Sequence, residues 1–198
     1  SLMAYPEMGY LPEALINQLV LLGWTPGDNK EIVSVEEIIR SFDLCQVHRS
    51  NARFDMNKLK SINYEYMRQL SMERFVELGR KAFERGGMLS SGWDAEYVRQ
   101  ALETCKDKVK TFSELPEYAG FYFVEELEYP PEMLESEFTP EARERLAMLR
   151  ERYAGLEDFN SACLEAVLKA LAKELGLKAG PLVHPLRLAL TAAKSGPS

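Results

Sequence analysis

Pro12-Glu13-Ala14-Leu15-Ile16-Asn17-Gln18-Leu19-Val20-Leu21-Leu22-Gly23-Trp24-Thr25-Pro26-Gly27-Asp28 sets the pattern on which the rest of the chain is built. Pro12 stands where a first helical residue is favoured, because the N–H it lacks would have no intrahelical partner there. Leu15, Leu19 and Leu22 recur at helical spacing, and Gly23-Trp24 with the turn Thr25 to Asp28 ends the run. The same start, apolar stripe and stop repeat downstream. Ser34 with Glu37 forms a capping box that opens a short helix to about Phe42, followed by a polar loop from Asp43 to Asp55. Further helices are expected over 58–66, over 71–85 between a Ser71 cap and a Gly86-Gly87 stop, and over about 94–109. Thr111 with Glu114 is a second capping box, and Pro116 makes the next helix short or late. Thr139 before Pro140 starts a helix that should end at Gly155. Leu164, Leu168, Leu171 and Leu175 then form one stripe stopped by Gly176, and a last helix is expected to open at His184-Pro185. Alternating strand patterns are scarce and no repeat is visible, so the fold class is all-α.

With 198 residues and 46% hydrophobic content, the chain can fill one or two packed cores. The net charge of −7 argues at first against a phosphate-rich partner. Its distribution changes that reading: from Glu125 to Asp158 eleven acidic residues face only Arg143, Arg145, Arg150 and Arg152, which accounts for the whole excess. From Lys169 onward Lys169, Lys173, Lys178, Arg187 and Lys194 face only Glu174, a locally basic tail compatible with an RNA footprint. Pro130-Pro131, inside the acidic stretch, is the expected domain boundary. No apolar run has the length of a membrane span or signal peptide, and the odd set Cys45, Cys105 and Cys163 fits reduced thiols, so a cytoplasmic location is expected.

Glycine-rich phosphate loops, paired CxxC, HExxH and GxSxG are all missing from the sequence. Cys45 and His48 are spaced like half of a metal pair, but the remaining ligands would have to come from isolated residues, so no metal site is expected. Glu125, Glu126 and Glu128 read as a solvated acidic face, and Trp24, Trp93 and the cluster Tyr118, Phe121, Tyr122, Phe123 as core.

Four blocks taken together are more specific than any of these signals. They are Met8 to Asp28, the run Phe54-Asp55, Lys58-Leu59, Asn63 and Tyr66-Met67-Arg68, then Lys110-Thr111-Phe112 with Leu115-Pro116, and finally Pro185-Leu186-Arg187-Leu188-Ala189-Leu190-Thr191 before Ser195-Gly196-Pro197. In that order they resemble the part of bacterial glutamyl-tRNA synthetases that follows the catalytic domain, although the family often has Trp where Ser61 stands. The resemblance implies three helical pieces: a stem-contact region over 1–71, a first anticodon-binding domain over 72–131 and a second over 132–198, whose C-terminal end is expected to be truncated. It implies tRNA as partner, glutamate-specific and in some cases glutamine-specific, no DNA or membrane, and a monomer. No cofactor is expected in this stretch. ATP and Mg belong to the catalytic domain of the full-length class I ligase, whose HIGH-like and KLSKR-like motifs are missing here, so this stretch alone is expected to be unable to charge tRNA. The alternative weighed beside it is a stand-alone helical adaptor for other proteins.

By the same resemblance Arg187, Gly196 and Pro197 face the anticodon, where unstacked bases are read on their edges and packed on flat groups. Lys108 stands where some relatives carry an arginine that helps read the third anticodon base. Lysine replaces a planar two-pronged donor with one rotating charge, which leaves strict exclusion of glutamine tRNA open. Arg68, Lys58, Arg49 and Arg53 are the expected stem or phosphate contacts.

Overall fold

The computed structural model describes residues 2, 4–27, 30–48, 53–89, 92–194 and 196. Among them the chain forms eleven α-helices and no strand: α1 Ala4–Glu7, α2 Pro12–Val20, α3 Val35–Ser41, α4 Met56–Gln69, α5 Met72–Arg85, α6 Ala95–Glu103, α7 Leu115–Ala119, α8 Pro131–Glu137, α9 Pro140–Ala154, α10 Ser161–Glu174 and α11 Gly180–Thr191. They gather into two compact units, 1–123 and 124–196. The packing therefore divides just after Phe123, while Pro130-Pro131 caps and opens α8. The stretches expected as stem-contact region and first anticodon domain share one core.

That core is built from helical stripes. Leu59, Ile62 and Met67 on α4, Phe75 and Phe83 on α5, and Val98 and Leu102 on α6 are buried together. Each fully buried side chain of this size contributes roughly 1.5–3 kcal/mol. Phe83 meets Phe123 edge-on at 4.7 Å, so part of the Tyr118–Phe123 cluster is core, and Trp93 stacks on Tyr97 at 5.5 Å. Close approach of α5 to α6 needs Gly79, where a Cβ would stand 2.7 Å from Leu102 Cδ2. Gly9 is required twice over: its φ is +78°, and a Cβ there would fall 2.3 Å from the backbone nitrogen of Ser113.

Capping follows the sequence with two differences. Ser34 accepts from the Glu37 amide at 3.2 Å, but the Glu37 carboxylate turns to Lys30 at 2.6 Å, so only half of that box closes. The Thr111 hydroxyl lies 3.0 Å from Ser113 Oγ, while Glu114 reaches back to the Lys110 amide at 2.7 Å. The resulting start is a 3-10 turn, Phe112–Glu114, leading into α7.

The second unit packs α9, α10 and α11 around Leu149, Leu168, Leu171, Ala172 and Leu182. Thr139 and Asn160 cap α9 and α10, and Gly176 at φ +66° closes α10. Two helix ends depart from the sequence reading. The helix expected to reach Val109 stops at Glu103, and the residues beyond it form a turn that buries Cys105 and Val109. The last helix opens at Gly180, so Pro185 lies inside α11 instead of starting it. A helix-interior proline costs about 3 kcal/mol. Burial of Leu182, Pro185 and Leu188 on one face offsets that cost.

Candidate nucleic-acid interface

The expected contact residues separate by what their charges already do. Lys58 is held by Glu31 at 3.0 Å, and Arg68 lies between Glu65 at 3.5 Å and Asp107 at 3.7 Å while covering the Tyr64 ring at 5.7 Å. Arg53 is exposed at the edge of a shallow hollow with Phe54, Asp55 and Asn57. Arg49 and Pro197 lie outside the described residues. Gly196 is half-buried, and a Cβ on it would make ordinary contact with Thr191 at 3.7 Å.

Arg187 and Lys108 are different. Arg187 is half-buried on α11, and among the described residues no carboxylate pairs with its guanidinium. Its helix is fixed independently of that side chain: Thr191 donates to the Arg187 carbonyl at 2.8 Å, and Tyr129 donates to the Ala189 carbonyl at 2.6 Å. Of the other cations of this unit, Lys194 pairs with Glu137 at 2.7 Å and Arg152 with Glu174 at 2.7 Å, whereas Arg150 makes no ion pair among the described residues. Lys194, and His184 at 3.3 Å, hold the Glu137 carboxyl below its ordinary pKa. Beside Arg187 on the same helix, Leu186 and Leu190 line an apolar groove of about 560 Å³ with Leu146, Tyr153, Phe159 and the exposed Arg150.

Lys108 projects from the turn after α6, exposed, with no ion pair among the described residues. The turn beneath it is held along one face of α4. Lys60 reaches Glu114 at 2.6 Å, Asn63 donates to the Lys110 carbonyl at 2.7 Å, Tyr64 donates to the Asp107 carbonyl at 3.1 Å, and Lys106 donates to the Leu70 carbonyl at 2.5 Å. Burial opposes ionisation of Glu114, yet Lys60 and the Lys110 amide hold its carboxyl below the ordinary value.

Asn63 is the residue whose role the sequence did not reveal. It is fully buried, and its Oδ1 accepts from the Leu11 amide at 2.8 Å. One side chain therefore ties the start of α2 to the segment at 110. The available signal was a polar residue between Leu59, Ile62 and Met67 on an apolar stripe. Asn17 plays a matching part in the same unit, accepting from the Val33 amide at 2.8 Å and donating to the Glu31 carbonyl at 3.0 Å. Tyr66 closes that group by donating to the Val33 carbonyl at 2.5 Å, and burial pushes its pKa up to about 12. Burial likewise raises the Cys105 thiol, as expected of a small core residue.

By its fold the protein is all-helical in two units, with Lys108 on a turn of one and Arg187 on a helix face of the other, neither in an ion pair among the described residues. The family model described as an anticodon binding domain matches residues 69–198, and one described as the catalytic domain of class I tRNA synthetases (E and Q) matches residues 1–61. The chain belongs to the anticodon-binding-domain family. It is 36% identical to a glutamate–tRNA ligase of Moorella thermoacetica and 39% identical to one of Syntrophobacter fumaroxidans, in both cases over 100% of this chain. It spans 41% and 42% of those relatives' lengths. A crystal structure of a glutamate tRNA ligase from Elizabethkingia meningosepticum in complex with its amino acid superposes with a TM-score of 0.82 at 32% identity, covering 98% of this chain and 38% of that one. No helix among the described residues is long and apolar enough to cross a membrane.

Proposed function

We propose that this chain binds tRNA and reads its anticodon, as part of a glutamate–tRNA ligase that joins glutamate to its tRNA with ATP and Mg held elsewhere in the full protein. The observation that carries this reading is Arg187, an arginine with no acidic partner among the described residues, on a helix fixed by its neighbours, inside the stretch that matches the anticodon-binding family. An unpaired guanidinium keeps its five donors available for base edges or phosphate at no cost in broken ion pairs. In this reading Lys108 contacts the third anticodon base, and Gly196 and Pro197 line the approach to the loop. The stretches 1–71, 72–131 and 132–198 then divide the work rather than the packing: stem contact, first anticodon contact and second anticodon contact. Lys58, Arg68, Arg53 and Arg49 serve the stem, and the first two must exchange Glu31 or Asp107 for phosphate. The protein acts as a cytoplasmic monomer, and because Lys108 offers a single rotating charge in place of a planar two-pronged donor, its penalty against the third base of glutamine tRNA is present but smaller than an arginine there would impose.

The test is a titration of the chain with a glutamate tRNA transcript at two salt concentrations, beside an anticodon-substituted transcript. Affinity should fall steeply with salt and fall again on anticodon substitution. Equal affinity for both transcripts would sink the anticodon reading.

A further inference from the structure

We propose that Asn63 is a specificity-positioning residue: its side-chain amide fixes the turn that carries Lys108 against the N-terminal segment, and so decides which base the Lys108 ammonium can reach. This deepens, and rests on, the reading of Lys108 as an anticodon contact.

Lys108 makes no ion pair among the described residues, so none of them holds its ammonium in one place. A lysine head is a point charge on a flexible stem and carries little directional information of its own. Whatever position it transmits must come from the backbone beneath it. That backbone is anchored from below by Cys105 and Val109, both buried, with the Lys108 amide donating to the Cys105 carbonyl at 2.9 Å.

From the side it is clamped by α4 and its capping residue Leu70 in antiparallel order. Residues 60, 63, 64 and 70 meet 114, 110, 107 and 106 respectively, through Lys60–Glu114, Asn63–Lys110, Tyr64–Asp107 and Leu70–Lys106. Among these four described residues Asn63 is the one that also hydrogen-bonds the N-terminal segment, accepting from Leu11 at 2.8 Å. The neighbouring pairs Phe112 amide to Gly9 carbonyl at 3.0 Å and Ser113 Oγ to Met8 carbonyl at 2.8 Å close the same junction.

An amide is the side chain that fits this place. It offers an acceptor to one backbone N–H and a donor to one backbone C=O, and inside a core both ends must be satisfied. An apolar residue would fill the volume and leave the segments free to slide. A carboxylate would repel the Lys110 carbonyl.

The experiment measures dissociation constants of the whole chain for three transcripts: native glutamate tRNA, one substituted at the third anticodon base and one substituted at the first. Asn63→Leu should shrink the third-base penalty by about fivefold, the order of one misplaced hydrogen bond, while the first-base penalty stays as in the wild type. An unchanged third-base penalty, or an equal loss at both positions, would overturn the proposal, since a merely structural residue would not single out one base. If Asn63→Leu does not fold, Lys60→Met opens the exposed end of the same clamp. It should give the same third-base-only change in smaller measure, and no change would overturn the proposal equally. Lys108→Ala separates the two levels. If it leaves the third-base penalty intact, the reading of Lys108 fails and this inference with it; if it abolishes the penalty while both clamp variants do not, only the positioning role of Asn63 fails.

Discussion

The first unit holds its segments in register with buried amides, whereas the second holds its helices with a small apolar core and keeps its polar groups at the surface. In unit one Asn17 and Asn63 are fully buried and spend their side chains on backbone groups far away in sequence, at Glu31, Val33, Leu11 and Lys110. In unit two the described buried cluster is Leu149, Leu168, Leu171, Ala172 and Leu182, and the polar bonds are part-buried, as from Tyr129 to the Ala189 carbonyl, or exposed, as between Lys169 and Glu165. Apolar burial gives stability without fixing which loop lies where. A buried amide contributes little net energy but penalises every arrangement that leaves it unpaired. Irregular segments are therefore specified in unit one by buried amides, whereas unit two is specified by the apolar faces of its helices.

The most forceful way to break this comparison is a cavity on either side. Phe83→Ala removes a fully buried ring from unit one and should cost about 3–5 kcal/mol; Leu182→Ala should cost about 2–5 kcal/mol in unit two. Both tryptophans, Trp24 and Trp93, lie in unit one, so their emission follows that unit while circular dichroism follows both. Phe83→Ala is expected to lower the fluorescence transition, and Leu182→Ala to leave it in place while lowering part of the dichroism transition. A single transition moved by either change would mean that the two units do not melt as separate bodies.

Next in size is Gly9→Ala. A side chain there meets both a positive φ and the backbone of Ser113, so a loss of about 1–3 kcal/mol is expected in the fluorescence-detected transition. Stability within a few tenths of the wild type would show that segment 8–11 is not held against 112–113.

Alkaline pH probes the Asn17 group. The folded pKa of Tyr66 lies at about 12, above the ordinary value of 10.0, so its contribution is fully present below pH 10 and is lost as pH rises towards 12. Unfolding midpoints measured across that window should decline in the wild type and decline less in Tyr66→Phe. Identical slopes would mean that the hydroxyl is not buried against Val33.

The smallest expected change in stability is that of Arg187→Ala, within about 0.5 kcal/mol because the side chain makes no ion pair among the described residues. A larger loss would mean that this arginine is part of the frame and not free for a ligand.

Much of the architecture was legible because helix starts and stops are local. Pro12, Ser71, Thr139, Gly155 and Gly176 act within a turn of where they stand, and each does so in the structure. The ends that departed were decided by tertiary burial. Cys105 and Val109 are drawn into the core by a turn where periodicity alone continues a helix, and Pro185 is carried inside α11 by the leucines around it. Candidate contacts were legible as residue types but not as commitments: Lys58 and Arg187 read alike in sequence, and only the fold shows that one has an acidic partner. Asn63 lies in one of the four resembling blocks, yet its two bonds to backbone groups join segments separated by 52 and 47 positions, which no local pattern can display.

Whether Arg187 touches the anticodon loop is measured by a double-substitution cycle. Dissociation constants are taken for the wild-type chain and Arg187→Ala, each with native and anticodon-substituted glutamate tRNA. If the contact exists, the anticodon substitution weakens the wild type but costs the Arg187→Ala chain little more, and the salt slope of the variant falls by about one unit. Strictly additive losses, with the anticodon penalty undiminished in Arg187→Ala, would contradict the assignment.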